Sequence, residues 1–221
     1  YKSTDTGQSF SNFNNNGPDD FNDPQNTEAK SIFFVSDTSR LYAAMQSGLF
    51  HSNSNGTSWS SKLTDEPNIF EISQPSGQPE TLFILTDNNF LRSTSLSSDL
   101  TSSLTTITSD TLNTGDVNAI AFGTTAGVIF AASASGIFES TDNGSSWHKS
   151  HQATGAGFPD SNYTAISAVT NNSNRMMIGS NASLHKILNI NSDPYSQNDL
   201  TSIFPAKVSY VSSRNSDLST V

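Results

Sequence analysis

The chain of 221 residues contains no cysteine. That removes disulfide staples, thiol nucleophiles and Cys-ligated zinc. Basic residues are scarce: ten Lys and Arg stand against twenty Asp and Glu, for a formal net charge of −10. With neither a basic stripe nor an Arg cluster, nucleic acid and anionic lipid are poor partners. Charged residues are only 14% of the chain, so Ser, Thr, Asn and Gln must supply most of the polar surface. No apolar run approaches the length that spans a bilayer, and no membrane insertion is expected. An initiator Met and a signal peptide are missing and Tyr1 reads as lying inside a strand, which suggests a processed or excised piece. The His-Glu-x-x-His, Gly-x-Ser-x-Gly and Gly-rich phosphate-binding patterns do not occur. No cofactor is expected.

What is present is a repeat. Residues 138–147 read Phe-Glu-Ser-Thr-Asp-Asn-Gly-Ser-Ser-Trp, a Ser-x-Asp-x-Gly-x-x-aromatic pattern. Residues 1–10 repeat it through Ser3, Asp5, Gly7 and Phe10. Residues 50–59 repeat it through Ser52, Gly56 and Trp59, with Ser54 in the place of the acid. Each part suits a strand–turn–strand corner. Gly supplies a positive φ. The acid and the Ser hydroxyl bond amide groups within the turn. The aromatic opens the next strand and buries a large apolar surface. Gly7 and Gly56 are 49 residues apart, and Gly56 and Gly144 are 88 apart, two units of 44. A worn copy therefore belongs between them, and 89–95 (Asn-Phe-Leu-Arg-Ser-Thr-Ser) supplies it without the Gly. A further worn copy is read at 184–191, with Asn189 for the acid and Asn191 for the Gly. A period in the mid-forties with several short strands is a propeller-blade signature.

These residues resemble the Asp-box (BNR) repeat of sialidase-like and related β-propellers. The resemblance implies an all-β propeller of four-stranded blades in which Asp5 and Asp142 are turn-formers and not catalysts. It does not carry sialidase activity. That family binds a sugar carboxylate through three Arg and has an Arg-Ile-Pro motif near its start. Here the motif is missing, and Arg occurs only at 40, 92, 175 and 214, with Arg40, Arg175 and Arg214 reading as repeat features beside a first strand. Asp-box enzymes that cleave glucan backbones need paired carboxylates across a cleft. Glu66, Asp116 and Asp160 open inner strands where such acids sit, but the sequence pairs none of them.

In chain order the strands read 31–35, 40–44, 48–52 and 59–63; then 69–73, 81–85, 89–93 and 104–107; then 117–122, 128–132, 136–140 and 147–149; then 165–170, 175–179, 184–188 and 200–204. A first strand at 208–211 and a second at 218–221 match in phase a third at Tyr1. The expectation is one propeller domain over 1–221, with blades at 28–63, 66–107, 115–150 and 161–205 and a shared blade from 206–221 plus 1–16. That gives five blades if the termini close the ring, and otherwise part of a larger propeller.

Other candidates read as structural. Asn12, Asn14, Asn16, Gly17 and Asp23 loosely echo a calcium loop, but three Asn for Asp remove the charge that gives affinity; an ordinary surface loop is preferred. His51, Arg92, Glu139, Lys186 and Lys2 share one position on the third strand, opposite in phase to Phe50, Leu91, Phe138 and Tyr1, and read as a solvated face. His148 and His151 are a poor metal pair in a strand, because i and i+3 face opposite ways. Trp59 and Trp147 read as packed between blades in preference to stacking on sugar rings. The sequons at Asn55, Asn143, Asn162, Asn171 and Asn181 follow from composition, and no glycosylation is argued from them. The functional expectation is a non-catalytic binding or structural module of a secreted or cell-surface protein. Its protein or glycan ligand would sit on a face built from loops 14–27, 74–79 and 152–162. The alternative is a fragment of an Asp-box glycoside hydrolase, and a third reading is an intracellular assembly factor.

Overall fold

The structure, a computed structural model, describes residues 3, 5–9, 29–35, 40–63, 65–66, 68–96, 100–149, 162–168, 176–189, 196–199 and 207–210. These contain sixteen strands in four four-stranded sheets, with short 3-10 turns and no α-helix among the described residues. The first sheet holds β1 (Ala29–Val35), β2 (Arg40–Met45), β3 (Gly48–Ser52) and β4 (Ser60–Leu63). The second holds β5 (Ile69–Ser73), β6 (Leu82–Thr86), β7 (Phe90–Ser93) and β8 (Thr105–Thr106). The third holds β9 (Val117–Phe122), β10 (Ile129–Ser133), β11 (Gly136–Ser140) and β12 (His148–Lys149). The fourth holds β13 (Tyr163–Ala168), β14 (Met176–Ser180), β15 (Leu184–Asn189) and β16 (Ser196–Asp199). Strands follow one another in space as in sequence, so each sheet is an antiparallel meander.

The second strands explain why the sheets form. Leu-Phe-Ile-Leu-Thr in β6, Ile-Phe-Ala-Ala-Ser in β10 and Met-Met-Ile-Gly-Ser in β14 are buried at every position. An apolar run without alternation is the mark of a strand covered on both faces. Each fully buried large apolar side chain contributes about 1.5–3 kcal/mol.

The chain divides into two compact units. The first is Tyr1–Gln74 with Pro79–Asp87 and Arg92–Leu104; the second is Pro75–Gln78 and Asn88–Leu91 with Thr105–Val221. In the first, Ala43, Met45 and Phe50 form a buried cluster with Trp59 packed on it, and β5 lies against β1 and β2. In the second, β13 lies against β9 and β10. Phe130, Ala132 and Ile137 there meet Tyr163, Ile166, Met176 and Ile178 in one core.

Strand positions match the sequence reading to within a residue or two in the first three sheets. In the fourth the last strand is Ser196–Asp199, where 200–204 was expected; residues 200–206 lie outside the described set. Ser-Gln-Asn-Asp has no apolar residue to reveal it. The worn corner at 184–191 is also corrected: Asn189 is still in β15 and pairs with Ser196, while Asn191 is outside the described residues. For the expected strand at 208–211, Lys207–Tyr210 carries no strand assignment. Val208 nevertheless donates its amide to the Ser180 carbonyl at 2.9 Å and accepts from Thr164 Oγ1. It lies so close to Gly179 that a Cβ there would stand 2.6 Å from Val208 Cγ1. For the expected pairing of 208–221 with 1–13, residues 1, 2, 4, 10–13 and 211–221 lie outside the described residues.

Candidate functional site

The three repeat corners fold alike. In the third sheet's corner, the buried Ser140 hydroxyl donates to Asp142 Oδ1 at 2.9 Å and accepts the amides of Gly144 at 2.8 Å and Asp142 at 3.3 Å. The same carboxylate takes the Ser146 amide at 2.8 Å on Oδ1 and the Ser146 hydroxyl at 2.6 Å on Oδ2. Asn143 and Gly144 have φ of 59° and 82°, the left-handed pair that Asn and Gly reach at least cost. Trp147 Nε1 donates to the Gly144 carbonyl at 3.1 Å, fixing the ring that closes the corner.

The first corner repeats these bonds. Ser3 Oγ donates to Asp5 Oδ1 at 2.7 Å and accepts the Gly7 amide at 2.8 Å; the Ser9 amide reaches Asp5 Oδ1 at 2.9 Å. Phe10 lies outside the described residues. The corner of the first sheet shows how it closes without an acid. Ser54 Oγ accepts the Ser58 amide at 2.8 Å, and Ser52 Oγ accepts the Gly56 amide at 2.8 Å. Trp59 Nε1 again donates to a glycine carbonyl, Gly56, at 3.1 Å. In the second sheet the position of Ser52 and Ser140 belongs to buried Ser93, whose hydroxyl meets Ser103 Oγ at 2.6 Å in place of a glycine amide.

Because donors crowd their carboxylates, Asp5 and Asp142 are held at a pKa of about 2, chiefly by the Ser9 and Ser146 hydroxyls. A carboxyl whose folded pKa lies below its unfolded value near 4 stabilises the fold above that value. The contribution fades as pH falls from about 4 towards 2. Asp142→Asn is therefore expected to lower Tm at pH 7 by on the order of 2 °C. The gap should close by pH 2, as read by calorimetry across pH. Asp142 is exposed, so solvent screening keeps the effect small. The converse test is Ser54→Asp. The Ser52 hydroxyl and the Ser58 amide and hydroxyl already converge on that position, and a charged acceptor strengthens such bonds. A gain of about 0.5–1 kcal/mol is expected in urea denaturation at pH 7.

The shared third-strand position is not a solvated face. His51 stands opposite Tyr42, Glu139 opposite Phe130 and Lys186 opposite Met177, and all three partners are buried. Lys186 is only 9% exposed. The alternation was read as one packed side and one wet side, but both faces of these sheets are covered at their second strands. His51 accepts or donates through Nδ1 to Ser60 Oγ at 2.8 Å, and burial, then Lys62, pushes its pKa down. Burial pushes the Glu139 carboxyl up, partly offset by its cross-strand partner His148 at 3.5 Å. Arg92 is partly buried on β7. Sequence reasoning missed His185. It is buried at the site that Phe50 and Phe138 hold in other sheets, with Nε2 on Ser183 Oγ and its ring 6.4 Å from Tyr163. Its phase with those Phe residues was the available signal.

Two hollows flank the Asp142 corner. One, of about 130 Å³, lies among Pro75, Ser76, Gln78, 122–129 and Asn143, with Gln78 Nε2 donating to Asn143 Oδ1 at 3.0 Å. The other, of about 350 Å³, lies among 108–111 and 145–147, where Thr111 Oγ1 donates to the Trp147 carbonyl at 2.6 Å. Hydroxyl-bearing Ser and Thr residues, Asp110 and Trp147 line the second, a set suited to polar ligands. Of the expected ligand loops, 14–27 lies outside the described residues, as do 152–161 of the third. So do Lys2, Asn12, Asn14, Asn16, Asp23, His151 and Asp160. Asp116 Oδ2 accepts Asn113 Nδ2 at 2.7 Å, and the Arg40 guanidinium donates to the Leu96 carbonyl. Among the described residues no group of three or more His, Asp or Glu is placed to hold a metal ion. No helix among them is long and apolar enough to cross a membrane.

No family model and no curated protein matches the chain. Solved structures do. An ancestral GH74 enzyme aligns over 82% of this chain at 14% identity with a TM-score of 0.63. The extracellular domain of a hybrid two-component system from B. thetaiotaomicron aligns over 89% at 16% identity and a TM-score of 0.56. PorZ, a surface component of the type-IX secretion system of Porphyromonas gingivalis, aligns over 86% at 14% identity and a TM-score of 0.54. The chain spans 26%, 25% and 22% of those chains, about a quarter of their length. The likeness shows the fold: this is an all-β chain of the β-propeller class, built from four-stranded blades.

Proposed function

We propose that the chain is a non-catalytic binding or structural propeller module of a secreted or cell-surface protein, with Asp-box corners as its joints. One observation carries this reading: the repeated carboxylates are consumed by their own turns. Both carboxylate oxygens of Asp142 accept bonds from Ser140 or Ser146, and the group stays ionised down to a pH of about 2. A carboxyl held this way cannot serve as a general acid near neutrality. The ligand surface is the polar corner side around Asp110, Ser146 and Gln78, and its ligand is a neutral glycan or a protein loop. Neighbours that are an extracellular sensor domain and a surface secretion component support this placement.

The second reading is a fragment of a glycoside hydrolase whose remaining blades carry the acids. The GH74 likeness favours it, since one such neighbour is a xyloglucanase from Xanthomonas campestris. The test is to incubate the chain with neutral β-glucan oligosaccharides and follow both calorimetric binding and reducing-end release. Saturable binding without product, weakened by Asp110→Ala, supports the module. Product release removed by changing Glu66 or Asp116 overturns the non-catalytic reading.

A further inference from the structure

The corners contain a chemical liability that their geometry controls. Asn55-Gly56 and Asn143-Gly144 are Asn-Gly pairs. In a flexible chain such a pair cyclises. The Gly nitrogen, its proton lost to base, attacks the Asn Cγ; a C–N bond forms, the Cγ–Nδ2 bond breaks, and the side-chain nitrogen takes a proton from water and leaves as ammonia. Water then opens the succinimide to Asp or to isoaspartate, whose main chain is one carbon longer. Gly favours attack because no side chain obstructs its nitrogen.

We propose that Asn55 and Asn143 are latent deamidation sites held shut by the Ser52 and Ser140 hydroxyls. Each attacking nitrogen is already committed: the Gly56 amide donates to Ser52 Oγ and the Gly144 amide to Ser140 Oγ, both at 2.8 Å. Both hydroxyls and both glycines are buried. A neutral buried hydroxyl keeps the proton on the nitrogen, and the bond pins the left-handed φ pairs of 57° and 84°, and of 59° and 82°. Cyclisation requires the nitrogen to lose that proton and the backbone to turn. The corner therefore has to open first, and the rate is scaled down by the open fraction. The two sites differ. Asn143 is clasped again, its amide on the Gly127 carbonyl at 3.0 Å and its Oδ1 on Gln78 at 3.0 Å. Asn55 is exposed, so in the folded chain it converts first. Isoaspartate at either place lengthens the span between the Ser and the Gly and breaks the bond that protected it.

The test is peptide mapping by mass spectrometry after incubation in mildly alkaline oxygen-18 water, comparing folded protein with protein in guanidinium chloride. Both sites should convert at least about tenfold more slowly when folded, which needs only about 1.4 kcal/mol of local opening. Asn55 should lead Asn143 in the folded sample. Ser140→Ala should accelerate Asn143 and leave Asn55 slow, whereas Ser140→Thr, which keeps the hydroxyl, should leave both slow. Equal rates folded and unfolded would sink the proposal. So would Ser140→Ala acting equally at both sites, because that reports general unfolding and not a local latch.

Discussion

Trp147→Ala is expected to cost about 3–5 kcal/mol of stability, the range for removing a buried aromatic. The residue is 6% exposed, and its ring centroid lies 5.7 Å from that of Phe90, tilted by 53°. Truncation opens a cavity beside Phe90 and leaves the Gly144 carbonyl without its indole donor; an unpaired buried acceptor adds its own penalty. Guanidinium unfolding followed by far-ultraviolet circular dichroism measures the loss. Trp147→Phe should recover the packing but not the hydrogen bond, and so fall between. Trp59→Ala should cost less, because Trp59 is only partly buried and sits at the rim of its cluster. Equal losses at the two positions would show that the indole's burial is not what sets the effect.

Phe130→Ala should match or exceed the smaller of these losses, again about 3–5 kcal/mol. Phe130 is the central large side chain of the core that joins the third and fourth sheets, against Tyr163, Met176 and Ile178. Phe130→Leu, which nearly conserves volume, should cost under about 1.5 kcal/mol. The chain has two compact units, so unfolding need not be a single transition. Probes of β9–β15 are the ones that should move.

The parts of the fold that were legible are those whose signal is local. Runs such as Leu82–Thr86 announce a strand covered on both faces, and Ser-x-Asp-x-Gly announces a turn because each residue bonds within that stretch. The last strand of the fourth sheet was misplaced for the opposite reason. Ser196–Asp199 is polar throughout, so no apolar periodicity marks it. The error over His51, Glu139 and Lys186 has a similar origin: alternation shows that two sides differ, but not that a neighbouring layer covers both. Of the hollows beside Asp142 only the loop 74–79 was legible, because Gln78, Gly127 and Asn143 meet only after folding.

The corners have a kinetic consequence. The bonds among Ser140, Asp142, Gly144, Ser146 and Trp147 that shape the corner all join residues at most four apart in sequence. Closing so short a loop has little entropy cost, and hairpins of this size form within about 1–10 μs. The β11–β12 turn should thus be set long before distant sheets meet. Each such corner is a seed that fixes strand direction early, leaving the slower search to the docking of preformed hairpins.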